Sequence, residues 1–179
     1  MTLKKTPFPE LELIDDLIFK PCNLSLKNIQ PESESHEYAA QTFQLNEYKV
    51  LFRKAKITPT KTGQFVTLWK RNEKGITEPF TIADDFDFYI IATKTPTNFG
   101  LFIFPKKALH DNKILSDPTK EGKRGIRIYP IWDKTTNKQA QKTQNWQTQY
   151  FLDLSDPTQI DLKRVNNLLR MEQSDLSIK

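Results

Sequence analysis

From Lys56 to Arg71 the chain reads Lys-Ile-Thr-Pro-Thr-Lys-Thr-Gly-Gln-Phe-Val-Thr-Leu-Trp-Lys-Arg. Lysine and arginine supply positive charge, threonine and glutamine supply hydrogen-bond donors, and Gly63 lets backbone N–H groups approach a ligand. That combination suits the oxygens of a phosphate. A second cluster, Gly122-Lys123-Arg124-Gly125-Ile126-Arg127, places two cations between glycines and a third on the strand that follows. Arg124 and Arg127 can each contact a phosphate or a guanine edge through two N–H groups. Pro105-Lys106-Lys107 reads as a third basic loop at a strand end.

Other chemistries fare worse. Cys22 is the one cysteine, and His36 and His110 are far apart in sequence, so a thiolate metal cage, an intrachain disulfide and a Cys–His nucleophile are not expected. A glycine-flanked serine elbow and a glycine-rich phosphate loop ending in Lys-Ser/Thr are missing. One enzymatic alternative stands. Asp84, Asp85 or Asp87 with Glu121 and Lys123 could hold a divalent cation and orient water, as a small metal-dependent nuclease would. The acid-x-lysine spacing behind it occurs four times, at Glu47, Asp111, Glu121 and Asp161, about as often as composition alone would give.

Charge is distributed unevenly. The net +5 divides into −4 over residues 1–48, +10 over 49–149 and −1 over 150–179. A basic field confined to the middle of the chain attracts polyanions and weakens with salt. Residues 1–9 lack the apolar core of a secretory signal and long apolar runs are missing, so a cytoplasmic protein with no membrane partner is expected.

These side chains need elements to hold them. Leu11, Leu13, Ile14, Leu17 and Ile18 predict an amphipathic helix stopped by Pro21. Residues 23–29 suggest a further short helical turn, and 31–37 an acidic loop. Strands are predicted around Phe43 and Leu45, over 48–57 and over 64–71, with Phe65, Thr67 and Trp69 on one face of the last. A hairpin is predicted over 86–93 and 99–104, and a short strand over 126–129. A polar helix over 137–149 is anchored by Ala140, Trp146 and Tyr150, and a final helix covers 157–171. The amides crowded around Trp146 could read base edges, but a core tryptophan with solvent-facing amides is the preferred reading. Together these elements predict an α+β domain around a mostly antiparallel sheet or partial barrel. A single domain over 1–179 is expected, with an N-terminal helical extension (1–37), a β-rich core (38–152) and a C-terminal helix (153–179).

Several blocks resemble the MepB family of bacterial proteins: Lys56-Ile57-Thr58-Pro59-Thr60-Lys61 with Gly63-Gln64-Phe65-Val66 and Trp69-Lys70-Arg71; Phe102-Ile103-Phe104-Pro105-Lys106; Gly122 to Pro130 with Trp132-Asp133; and Thr143-Gln144-Asn145-Trp146-Gln147. The resemblance implies a DNA-binding pseudobarrel, a half-open antiparallel β-barrel with flanking helices whose loops grip duplex DNA. It carries no nuclease domain with it.

The expectation is therefore a non-enzymatic nucleic-acid-binding protein without a cofactor or metal, taking DNA in preference to RNA. Lys56, Lys61, Arg71, Lys106, Lys123, Arg124 and Arg127 would make phosphate or base contacts. Thr58, Thr60 and Gln64 would position the backbone, and Trp69 and Trp132 would support the loops or stack on bases. A protein-interaction module with a basic face is the third reading.

Overall fold

The computed structural model describes residues 8–176, with side chains for residues 8–170. The reading of the first seven residues lies outside the described part of the chain. The molecule is α+β, built on a six-stranded sheet in the order β1 (Leu26–Pro31), β2 (Gln41–Leu45), β3 (Tyr48–Lys54), β8 (Phe88–Lys94), β9 (Phe99–Pro105) and β11 (Phe151–Asp153). Neighbours run antiparallel except β3 and β8, which are parallel. Parallel neighbours need a long crossover. Residues 55–87 provide it, and they contain the basic segment 56–71.

Strands β8 and β9 are apolar at almost every position because both faces of the sheet are covered there. Phe88, Ile90 and Ala92 of β8, with Leu101 and Ile103 of β9, face one core. Helices α1 (Pro9–Ile14) and α4 (Leu162–Leu176) close it with Leu11, Ile14, Val165 and Leu168. α1 continues as a wider π turn over Asp15–Phe19, which buries Ile18 and Phe19 in the same core. Tyr89, Ile91 and Phe104 face a second core on the opposite side. There they meet Val66 and Ile126 from a smaller sheet, in the order β10 (Gly125–Ile128), β5 (Gln64–Thr67) and β4 (Lys56–Ile57). The Tyr89 hydroxyl joins the two sheets by donating to the Thr67 carbonyl oxygen at 2.9 Å.

Several elements differ from expectation. Residues 23–29 do not form a helical turn; β1 begins at Leu26 and pairs with β2 at the edge of the large sheet, so the segment 1–37 is not purely helical. The expected strand over 48–57 is divided at Ala55, whose N–H donates to the Ala92 carbonyl oxygen at 2.9 Å. The expected strand over 64–71 breaks at Leu68, whose N–H is taken by the Arg124 carbonyl oxygen at 2.9 Å. Beyond it, β6 (Trp69–Arg71) leaves to pair with β7 (Thr77–Pro79) in a separate hairpin. Lys106 and Lys107 open a short helix, α2 (Lys106–Asp111), where the sequence suggests a loop. The polar helix is present as α3 (Lys138–Gln147), capped by Asn137 Oδ1, which accepts from the Ala140 N–H at 2.8 Å. Among the described residues no helix is long and apolar enough to cross a membrane.

Candidate nucleic-acid interface

The small sheet brings the two basic segments together. Register places Lys56 beside Phe65 and Phe65 beside Arg127, so these three side chains share its outer face. Val66 and Ile126, one position along, point into the core. Arg127 also fixes the turn over residues 58–63. Its Nη1 donates to Thr58 Oγ1 at 3.0 Å and to the carbonyl oxygens of Thr62 and Gly63 at 3.2 and 3.3 Å. Gly63 sits at φ +85°, and a Cβ there would lie 2.8 Å from the Tyr129 ring. The turn therefore closes tightly on β10 and holds Thr60 and Lys61 in solvent.

An acidic strap crosses the outer face. Glu37 pairs with Lys56 at 3.2 Å, and Glu34 with Arg71 at 2.6 Å. Thr67 Oγ1 donates to Ser35 Oγ at 2.8 Å, and Tyr38 packs edge-on against Phe65 with ring centroids 6.2 Å apart. Glu32, at the near end, pairs with Arg53 beneath the strap. Ser35 and Ala39 hold left-handed conformations, φ +58° and +51°, that let the segment bend over the sheet. The sequence identifies residues 31–37 as an acidic loop but gives no local sign of where its charges land.

The far side of β10 is different. A cleft of about 350 Å³ separates β10 from α3. Lys123, Arg127 and Tyr129 line one wall, and Gln139, Thr143 and Trp146 line the other. None of its lining residues is acidic. Among the described residues the Lys123 side chain makes no ion pair or hydrogen bond, nor do those of Lys113, Lys138 and Lys142, which neighbour lining residues in sequence.

Two glutamines hold this cleft in shape. Gln147 Nε2 donates to the Arg127 carbonyl oxygen at 3.0 Å, and its Oε1 accepts from the Tyr129 N–H at 2.9 Å. Gln144 Nε2 donates to the carbonyl oxygens of Pro130 and Asp133, both at 2.9 Å. The sequence reading places all these amides in solvent. The missed signal is spacing: Ala140, Gln144 and Gln147 recur at i, i+4 and i+7 and share the buried face of α3.

The remaining predicted site residues scatter. Arg124 pairs with Glu121 at 2.9 Å and donates to the Thr77 carbonyl oxygen at 3.1 Å, beside a second groove that also holds Trp69. The Arg71 guanidinium lies 5.4 Å from the Trp69 ring centroid. Gln64 is 2% exposed and faces inward. Trp132 packs on Phe151 with centroids 5.4 Å apart and its indole N–H is buried, so its ring is engaged in packing. Lys106 bonds the Asp84 carbonyl oxygen, lies 4.9 Å from the Phe86 ring centroid, and lines neither groove.

The carboxylates of the nuclease alternative are each engaged with a partner. Asp84 accepts from Lys70 at 2.6 Å and from the Thr81 N–H at 2.7 Å. Asp85 pairs with the Lys49 side chain, and Asp87 accepts from the Lys49 N–H at 2.8 Å. Glu121 is paired with Arg124, and Lys123 stands in the cleft. Among the described residues no group of three or more His, Cys, Asp or Glu side chains could hold a metal ion. Burial raises the Cys22 thiol above its ordinary pKa, away from the thiolate a nucleophile needs.

Fold and site define an α+β domain with a basic groove beside a small sheet. The MepB-like family model matches residues 32–153, and the chain belongs to that family. The crystal structure of MepB is similar at 32% identity, with a TM-score of 0.73, over 83% of this chain and 99% of that one. A bacterial homing endonuclease is similar at 13% identity and a TM-score of 0.40, over 74% of this chain and 86% of that one. No curated protein matches the chain.

Proposed function

We propose that this chain is a non-enzymatic nucleic-acid-binding protein that grips duplex DNA along the β10–α3 cleft and the neighbouring 58–63 turn. The observation that carries the reading is the cleft's composition. Lys123 and Arg127 line it without any acidic side chain, and Lys61 is held nearby on a turn that Arg127 anchors. Cations without carboxylate partners can release counterions from phosphate, whereas paired ones must first give up their partners. The arrangement of the small sheet and the β6–β7 hairpin beside the large sheet supports the half-open barrel reading, in which strand-end loops act as arms.

Binding to duplex DNA is measured against salt concentration. If about four to six cations neutralise phosphates, log K against log[salt] has a slope of roughly −4 to −5. A slope near zero would sink the polyanion reading.

The location is tested by substitution. Replacing Lys61 and Lys123 with Ala should weaken binding about tenfold or more, while Lys163→Ala in α4 should change it little. Equal losses would mean diffuse attraction with no site. Arg164 is unsuitable as a control because it donates to the carbonyl oxygens of Phe151, Thr148 and Gln149.

One observation favours a second reading, an acidic protein partner. The outer face already takes an acidic segment of this chain through Glu34 and Glu37. Failure to bind any DNA or RNA at low salt would turn the interpretation that way.

A further inference from the structure

The cleft has more chemistry than phosphate contact requires. Its charged wall carries Lys123 and Arg127. The opposite wall presents the amides of Asn137 and Gln139 and the hydroxyl of Thr143, and aromatic rings contribute from both sides, Tyr129 and Trp146. Trp146 is half-buried, packed behind on Phe104 with centroids 5.3 Å apart, so its ring is held while part of it borders the cleft. A volume of about 350 Å³ lies at the lower end of small-ligand sites, roughly 300–1,000 Å³. A duplex lying along the cleft rests on its rim without entering it, whereas one unstacked unit fits within.

We infer that the β10–α3 cleft is a pocket for a single phosphorylated nucleoside unit. The phosphate lies against Lys123 and Arg127, the base lies along the Tyr129 and Trp146 rings, and Asn137, Gln139 and Thr143 offer hydrogen bonds to its edge. Cations alone would serve any small anion. Amides are the side chains that match the donor and acceptor pattern of a base, and aromatic rings stack on its face. The unit comes either from a free nucleotide or from an unpaired nucleotide of a strand. The inference deepens the nucleic-acid reading in the second case and stands without it in the first.

The test uses the full chain with its tryptophan indoles labelled with ¹⁵N, the Trp146 signal being assigned from Trp146→Phe. It is titrated with a deoxynucleoside 5′-monophosphate, with deoxyribose 5-phosphate, and with inorganic phosphate. The nucleotide should move the Trp146 signal and bind about fivefold or more tightly than the base-free sugar phosphate. Gln139→Ala, an exposed position, should shrink that preference, and Lys123→Ala should weaken both ligands together. Equal binding of nucleotide and sugar phosphate would overturn the inference. So would a nucleotide response confined to Trp69 and Trp132, or none at millimolar ligand.

A blunt duplex and the same duplex with one unpaired nucleotide then separate the sources. Tighter binding of the second assigns the pocket to a strand; equal binding assigns it to free nucleotide. Salt-dependent duplex binding without any nucleotide preference overturns the pocket alone. Nucleotide preference without duplex binding overturns the polymer reading alone.

Discussion

Replacing Glu32 with Ala should cost about 3–5 kcal/mol of folding stability, one of the two largest effects expected in this chain. Arg53 is 1% exposed, on β3 between the two sheets. Its Nη1 pairs with Glu32 and donates to the Phe52 carbonyl oxygen at 2.9 Å, while its Nε is buried without a partner. An arginine side chain keeps its positive charge in a protein interior. Without Glu32 it becomes a buried, uncompensated charge, and the penalty is its desolvation as well as the lost bond. Urea unfolding midpoints measure the effect. Glu32→Gln, which keeps an acceptor but no charge, should fall between the wild type and Glu32→Ala. Replacing both residues with apolar side chains of similar volume should cost less than Glu32→Ala. A loss below about 1 kcal/mol for Glu32→Ala would mean that water reaches Arg53 once the strap is altered.

The second large effect is at Trp146. Truncating a packed tryptophan to Ala commonly costs about 3–5 kcal/mol, and the half-exposed ring of Trp146 puts it near the low end. Its ring touches Phe104, and Gln144 and Gln147 on the same helix hold α3 to β10 and the following segment. Loss of the ring therefore removes packing and a wall of the cleft at once. Thermal unfolding should report a sharp fall in melting temperature. Trp132→Ala should also destabilise, because its ring packs on Phe151 and not in solvent. Trp69, half-buried on the hairpin beside Arg71, is the one tryptophan whose loss should leave the melting temperature nearly unchanged. If Trp146→Ala melts like the wild type, α3 is held by its glutamine contacts alone.

Much of this fold is legible because its signals are local. The unbroken apolar runs Phe88–Ala92 and Leu101–Phe104 announce buried central strands, and Leu11, Ile14 and Ile18 announce a helix. The basic segments 56–71 and 122–127 are visible as composition, and their strands do pair. What fails depends on partners distant in sequence. Residues 26–31 are a strand because β2 offers an edge, and β7 and β11, three residues each, exist through β6 and β9. The pairing of Glu32, Glu34 and Glu37 with Arg53, Arg71 and Lys56 is of the same kind. A count of charges shows that residues 49–149 are basic. It does not show which cations are already spoken for, and that distinction moves attention from the outer face to the β10–α3 cleft.

The Gln147 clamp has a consequence for association. β10 is the last strand of its sheet, and a terminal strand ordinarily exposes backbone groups that can recruit another chain as an additional strand. Here the Gln147 amide takes the Arg127 carbonyl oxygen and the Tyr129 N–H, much as a neighbouring peptide group would. At the opposite border β4 is only two residues long, too short to template much pairing. The small sheet is thus terminated from within at one side and truncated at the other. It can keep the strand that carries Arg127 beside an open cleft without inviting a foreign strand to extend it.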